Sequence, residues 1–309
     1  MAATAVVFAY HDVGVRCLSA LIGHGVQVPL VVTHRDDPKE NVWFGSVEGL
    51  ARELGLTTAA PEDPADIASR VVSIAPDFVF SFYYRHMLPP AVLGAARRGA
   101  YNMHGSLLPR YRGRAPVNWA VLSGERETGA TLHAMVAKPD AGGIVDQMAV
   151  PILPDDLAID VFRKVTVAAE VVLVRSLPKL LNGSVHPAPQ DLGAGSYFGG
   201  RKPEDGRIDW RAPGKRIHDL VRAVAPPYPG AFTDVAGRRL RLLRTRLLPD
   251  RAPNGRASLA GDSWGRLVAR CADGSVLHVL EADVDGEALK VNKLRERLGS
   301  DPVALGDNP

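Results

Sequence analysis

The chain has 309 residues, of which 46% are hydrophobic and 23% charged, and its net charge is +3. That length suits two domains, the apolar share excludes general disorder, and the charge is too small to demand a nucleic-acid partner. Only two cysteines are present, Cys17 and Cys271, which excludes a disulfide framework or a cysteine metal cluster. "MAATAVVFAYHD" lacks the basic start of a secretory leader, and the longest apolar run, "VTVAAEVVLV", carries Glu170, so a cytoplasmic protein with no membrane insertion is expected.

In chain order, "TAVVFAY" (4–10) reads as a buried strand and 13–25 as a helix ending at Gly25. A second strand is expected over 28–34, helices over 42–55 and 63–75, and a third strand over 77–84. A short helix (89–99) leads into a fourth strand, 100–105. Strands alternating with helices predict a Rossmann-like, mostly parallel α/β sheet. A helix over 115–125, a strand pair over 129–137 and 142–152, and a long helix over 155–183 follow. Residues 184–206 are rich in Pro, Gly, Ser and charge. The expected division is 1–186 as the catalytic domain, 187–206 as a linker, and 207–309 as a small OB-like β-barrel. Within the barrel, a helix is expected over 215–225 and strands over 230–248, 265–282 and 288–294, with Asp273–Gly274 as a hairpin turn and 301–309 as a tail.

The two halves differ in charge: residues 1–200 hold 17 Lys and Arg against 19 Asp and Glu, whereas 201–309 hold 20 against 15. A phosphate-bearing partner and a solvated Arg-rich surface explain that excess equally well. No G-x-G-x-x-G follows the first strand and no P-loop motif occurs, so neither NAD nor a P-loop nucleotide is expected. His11, His34, His86, His104 and His133 show no metal-ligand spacing, so no metal is expected, and His133 reads as a packed strand residue.

"NMHGSLLPRYRGRAP" (102–116) crowds two Pro, two Gly and three Arg around one Asn-x-His. Asn102 and His104 lie two apart on a strand and share a face, at the carboxyl edge where open α/β sheets gather ligands. An amide there can donate to a developing oxyanion and an imidazole can move a proton. Asp140, in "KPDAGGIV", would raise the pKa of His104 if the two segments met. Taken singly, each of the three has a plain structural reading as cap, packed ring or turn former. With no motif for a Ser or Cys nucleophile, direct transfer to an incoming nucleophile fits best.

"NMHGSLLPRYRGRAP", "ETGATLHAMVAKPDAGGIV" and "AVAPPYPGAF" together resemble the 10-formyltetrahydrofolate-dependent formyltransferases, over nearly the whole chain. Within that family the chain resembles the formyltransferase half of the bifunctional polymyxin-resistance enzymes. The resemblance implies Asn102, His104 and Asp140 as catalytic residues. It implies folate contacts at His86, Met87, Leu88, Arg114, Val136, Ala137, Lys138, Pro139 and Asp140. The co-substrate it implies is 10-formyltetrahydrofolate.

"RYRGRAPVNW" is the amino-sugar form of the motif, with Arg114 where the transfer-RNA branch has Ala. The loop "THRDDPKENVWFGSVEG" holds Arg35 and Lys39 against Asp36, Asp37, Glu40 and Glu48. An acidic loop is a poor seat for a polyanion. The loop argues against tRNA, and the resemblance implies UDP-4-amino-4-deoxy-L-arabinose as the acceptor, a lipid A precursor linked to polymyxin resistance, with Arg114 and Arg201 expected on its diphosphate. Methionyl-tRNA, another small-molecule amine, and a non-enzymatic folate-binding module are the alternatives. A homo-oligomer, or a separate decarboxylase chain as partner, is also expected.

Overall fold

The protein is described by a computed structural model over residues 2–38 and 40–306; Lys39 of the acidic loop and the last three residues of the expected tail lie outside the described residues. The chain forms two compact units. Met1–Pro116, Glu127–Pro151 and Phe162–Gly199 make the first; Val117–Arg126, Ile152–Val161 and Gly200–Pro309 make the second.

The first unit is built on β1 (Thr4–Ala9), β2 (Gln27–Val32), β3 (Thr58–Ala59), β4 (Phe78–Phe82), β5 (Ala100–His104), β6 (Arg112–Gly113), β7 (Glu127–Ala134), β8 (Ile144–Pro151) and β9 (Tyr197–Phe198). Its main sheet runs β3-β2-β1-β4-β5-β7-β8. The first five strands are parallel, and β7 and β8 join antiparallel at one edge. Helices α1 (His11–Gly23), α2 (Val47–Glu53), α3 (Ala68–Ile74) and α4 (Pro90–Gly94) supply the crossovers. β1 is central and flanked by strands running the same way, so it is buried on both faces and its sequence is apolar without alternation. On β4 the pleat sends Val79 into a cluster with Val6, Phe8, Leu30, Val71 and Val92, and sends Phe78, Phe80 and Phe82 to the opposite face. There Phe80 stacks on Phe82 with ring centroids 5.5 Å apart.

After β5 come α5 (Pro116–Leu122) and the long α6 (Ala158–Asn182). The second unit carries α7 (Gly214–Val224), then β10 (Ala231–Val235), β11 (Arg238–Arg251), β12 (Ser258–Gly261), β13 (Leu267–Arg270), β14 (Ser275–Val284) and β15 (Glu287–Ala288), then α8 (Leu294–Leu298) and β16 (Val303–Ala304). These strands make one curled antiparallel sheet, ordered β10-β11-β14-β13-β12-β16, with β15 beside β14.

Three expectations fail at element level. The helix expected over 42–55 starts only at Val47, because Ser46 caps it by accepting the Gly49 N–H at 3.0 Å, and Trp43 and Phe44 instead pack around His11. The strand expected over 288–294 is strand only at Ala288; residues 291–298 turn helical and stop at Gly299, whose φ is +82°. The expected tail at 301–309 supplies β16, which pairs with β12 and buries Val303 and Leu305.

The Phe80 side chain is fully buried. Phe80→Ala should destabilise the fold by about 3–5 kcal/mol, read from the urea midpoint. A loss under about 1 kcal/mol would show that the aromatic face is not packed as described.

Candidate active site

Antiparallel pairing fixes which side chains meet. β5 and β7 register Asn102 against His133 and His104 against Thr131. Directly opposed residues share a face, so all four side chains rise from one patch of the sheet. The loop after β7 then returns so that Asp140 lies over that patch, with a backbone φ of +51°. Asp140 Oδ1 stands 3.5 Å from His104 Nδ1 and 3.5 Å from His133 Nε2. Its Oδ2 accepts the Gly113 N–H at 2.9 Å. Asn102 Nδ2 lies 3.1 Å from His133 Nε2. The structure thus brings Asn102, His104 and Asp140 together, and adds His133, which the sequence reading set down as merely packed.

The 104–116 loop is held in shape at every turn. Thr131 Oγ1 donates to the Ser106 carbonyl at 2.6 Å and accepts from the Leu108 N–H at 3.2 Å and from Gln147 Nε2 at 2.8 Å. Ser106 Oγ donates to the Arg110 carbonyl at 2.6 Å. β6 pairs with β9, and Tyr111 stacks on Phe198 with centroids 5.3 Å apart. Gln190 Nε2 donates to the Asp140 and Gly142 carbonyls at 3.1 and 2.6 Å. Residues 190–198, inside the segment expected as a linker, therefore brace both loops of the site. Neither short strand was visible in the sequence, because two-residue pairings leave no periodic signal.

Electrostatically, the cluster joins an ionised acid to an uncharged base. Burial alone would push the Asp140 carboxyl up, but His104, His133 and the Gly113 N–H together hold it below the usual carboxylate range. For His104 the expected sign is reversed. Asp140 does favour the charged ring, yet burial outweighs it and the imidazole pKa falls below its ordinary 6.5. His104 Nε2 is 2.8 Å from the Tyr111 carbonyl, which can only accept, so Nε2 carries the ring proton and Nδ1 offers its lone pair.

Further aromatic residues follow the carboxyl ends of β1, β2 and β4. His11 stacks on Phe44 at 3.9 Å, and His34 stacks on Tyr84 at 4.1 Å. Burial, aided by nearby cations, pushes His11 down to about 3 and His34 down to about 4, so both are neutral packing rings at pH 7. The acidic loop is largely tied up. Asp36 accepts from Tyr10 Oη at 2.7 Å, and Glu40 takes both terminal nitrogens of Arg85 at 2.7 Å. Its field is accordingly weaker than the bare charge count of the sequence suggests.

Of the expected folate contacts, His86 and Met87 are exposed on the loop after β4, while Leu88 is buried in the core. Arg114 is exposed, with Nη2 3.4 Å from the Arg85 carbonyl on that same loop. Val136, Ala137 and Lys138 are exposed and Pro139 half-buried on the loop that carries Asp140. Arg201 belongs to the second unit, where its guanidinium lies 4.7 Å from the Trp119 ring centroid and donates to the Asp205 carbonyl at 3.1 Å. Among the described residues, no group of three or more His, Cys, Asp or Glu could hold a metal ion. Among those residues, no helix is long and apolar enough to cross a membrane.

An open α/β sheet with an amide, an imidazole and a carboxylate on one patch, and among the described residues no side chain activated as a nucleophile, is suited to a transferase that moves a small group directly between two bound molecules. Family comparison gives that class its name. Residues 14–177 match the model described as formyl transferase, and 201–295 match the formyl transferase C-terminal domain. The chain belongs to the formyl transferase family, enzymes of one-carbon group transfer.

Solved structures agree in fold. An N-formyltransferase from Helicobacter canadensis, in complex with folinic acid and dTDP-3-aminofucose, is similar at 18% identity over 90% of this chain and 99% of that one, with a TM-score of 0.68. A 4-N formyltransferase from Francisella tularensis matches at 21% identity over 77% of this chain and 95% of that one, TM-score 0.63. A variant of HypX from Aquifex aeolicus matches at 19% identity over 98% of this chain but only 49% of its own, TM-score 0.65.

Gly113 joins both sides of the site. Its φ is +96°, and a Cβ there would sit 2.1 Å from the Phe198 carbonyl oxygen. Gly113→Ala should push β6 off β9 and withdraw the N–H from Asp140, cutting turnover by about tenfold or more. Steady-state kinetics beside a thermal melt will check this, and unchanged turnover would show that the N–H is dispensable.

Proposed function

We propose that the protein transfers the formyl group of 10-formyltetrahydrofolate to the amine of a nucleotide-linked amino sugar, with residues 1–186 carrying the chemistry. One observation carries the reading: Asn102, His104 and Asp140 meet on one patch of the sheet, at the motif that resembles the family's catalytic centre. The folinic acid and dTDP-3-aminofucose bound to the Helicobacter canadensis relative support the classes of donor and acceptor. "RYRGRAPVNW" favours UDP-4-amino-4-deoxy-L-arabinose as the sugar.

In this reading the acceptor amine attacks the formyl carbon and a new C–N bond forms. The carbonyl oxygen becomes an oxyanion that accepts an N–H of Asn102; a pre-organised donor of this kind contributes about 3–4 kcal/mol. His104 takes the amine proton at Nδ1, since Nε2–H is committed to the Tyr111 carbonyl. Asp140, already ionised, stabilises the imidazolium. The bond from carbon to N10 of the folate then breaks, its electron pair stays on N10, and the proton held by His104 neutralises it. His86–Leu88, Arg114 and Val136–Asp140 are the proposed folate contacts, and Arg114 the proposed diphosphate contact.

Two experiments bear on this reading. Rates measured on UDP-amino sugars, dTDP-amino sugars and methionyl-tRNA at equal formyltetrahydrofolate should be highest for UDP-4-amino-4-deoxy-L-arabinose and near background for the tRNA. Turnover of tRNA alone would replace the sugar reading with a translational one.

The pH profile tests the base. His104 works as a neutral ring, and its pKa lies below 6.5. The rate should hold as pH falls past 6.5 and drop only at more acid pH, as the imidazolium forms. His104→Ala should cut turnover by about 10²-fold or more and abolish that limb. Asp140→Asn should move the limb further toward acid, because removing a negative charge disfavours the imidazolium. A limb displaced toward alkali would exclude the pairing.

A further inference from the structure

We infer that His133 is a positioning residue for the oxyanion donor: its Nε2 accepts one amide proton of Asn102 and thereby holds the amide with its nitrogen, not its carbonyl, toward the reacting centre. The inference rests on the formyl-transfer reading above and concerns a residue outside the Asn102–His104–Asp140 set. The argument is a count of donors and acceptors. His133 is buried, with 2% of its surface exposed. Its Nδ1 lies 2.8 Å from the Ala134 carbonyl, which can only accept, so Nδ1 carries the ring proton. In the ring protonated at Nδ1 alone, Nε2 is a lone pair 3.1 Å from Asn102 Nδ2, and the shorter of its two contacts, 3.1 Å to Asn102 against 3.5 Å to Asp140, is then a bond that Asn102 donates.

An Asn amide is planar and nearly symmetric in shape, so packing alone discriminates poorly between its two orientations. Turned over, it would present an oxygen to the oxyanion and repel the charge it is meant to stabilise. A bare Nε2 on His133 excludes that orientation, because carbonyl oxygen against a ring lone pair is acceptor against acceptor. It leaves the second amide proton of Asn102 unspent, directed by the rigid amide plane. The backbone carbonyl of Ala134 thus sets the tautomer of His133, and His133 sets the hand of Asn102. Asp140 Oδ1, at 3.5 Å from Nε2, is the group that would draw a proton there and reverse the arrangement. Its Oδ2 is engaged by Gly113, and Oδ1 lies at the same distance from His104.

The test has two arms. In the intact protein, 15N spectra of the histidine rings at pH 7 should show His133 protonated at Nδ1 and bare at Nε2, coupled to an Asn102 amide proton. This arm does not depend on what the enzyme formylates. A ring protonated at Nε2 would overturn the inference whatever the substrate proves to be.

The second arm is kinetic. His133→Phe should lower kcat by about 10²-fold while the KM of each substrate changes less than about threefold. His133→Gln, which returns an acceptor oxygen near the position of Nε2, should recover to within about tenfold of the native rate. Asn102→Ala combined with His133→Phe should be no slower than Asn102→Ala alone, since both remove one interaction. Multiplicative losses, a rise in KM alone, or failure of the Gln variant to recover while remaining folded would each overturn the inference. A protein with the expected 15N signature but no transfer to any amino sugar would instead refute the proposed function and leave the geometry standing.

Discussion

The carboxylate of Asp140 is the contact on which the rest of the site depends. It touches three separate segments: His104 at the end of β5, His133 on β7, and the Gly113 N–H on β6. Together these contacts hold the Asp140 loop against β5, β6 and β7, and the Gly113 N–H favours the charged form of the acid. The loop bearing Asp140 would otherwise be an excursion between β7 and the edge strand β8. Its own support comes from the Gln190 amide, which bonds the carbonyls of Asp140 and Gly142. The segment 190–198 therefore matters to the site although it contributes none of its polar side chains to the central patch.

Much of this was legible in the sequence. β1 is apolar from Ala5 to Ala9 and β4 is broken only by Ser81, a pattern that a doubly covered sheet explains, and the Asn-x-His spacing on β5 placed both side chains on one face. His133 was not legible. A His on a strand reads as packed unless the register is known, and only the pairing of Asn102 with His133 reveals what it packs against. β6 and β9 are too short to carry a pattern, so the crowding of Gly, Pro and Arg between 102 and 116 marked a stiff loop without saying what stiffens it. The answer lies some 85 residues away, in the bond from the Tyr111 N–H to Ser196.

Charge counting was the least reliable guide. The acids of the 33–49 loop suggested a repulsive surface, but Asp36 and Glu40 are bound to Tyr10 and Arg85. Asp12 likewise accepts the Gly45 N–H at 2.6 Å. These carboxylates fasten the loop around the stacked His11 and His34 rings. The same Arg85 that neutralises Glu40 also lies 4.7 Å from the Tyr10 ring centroid. A run of acids in a sequence gives the sign of a field only after the partners are known.

The sign of the His104 shift has a mechanistic meaning. Desolvation acts oppositely on the two partners, raising a carboxyl and lowering an imidazole, and Asp140 escapes its effect only through three compensating contacts. Protonating His104 would create a buried ion pair at 3.5 Å. At an effective dielectric near 20 that attraction is about 5 kcal/mol, comparable with the several kcal/mol that desolvating an ion costs. Burial is the larger of the two, so the ring rests neutral, while Asp140 keeps the protonated form within reach. In the proposed transfer, a fully solvated pair would bind the proton too weakly to steer it, and an ideal buried pair would not release it to the leaving nitrogen. The distance of 3.5 Å, longer than a direct hydrogen bond, is consistent with a carboxylate that stabilises the cation without trapping it.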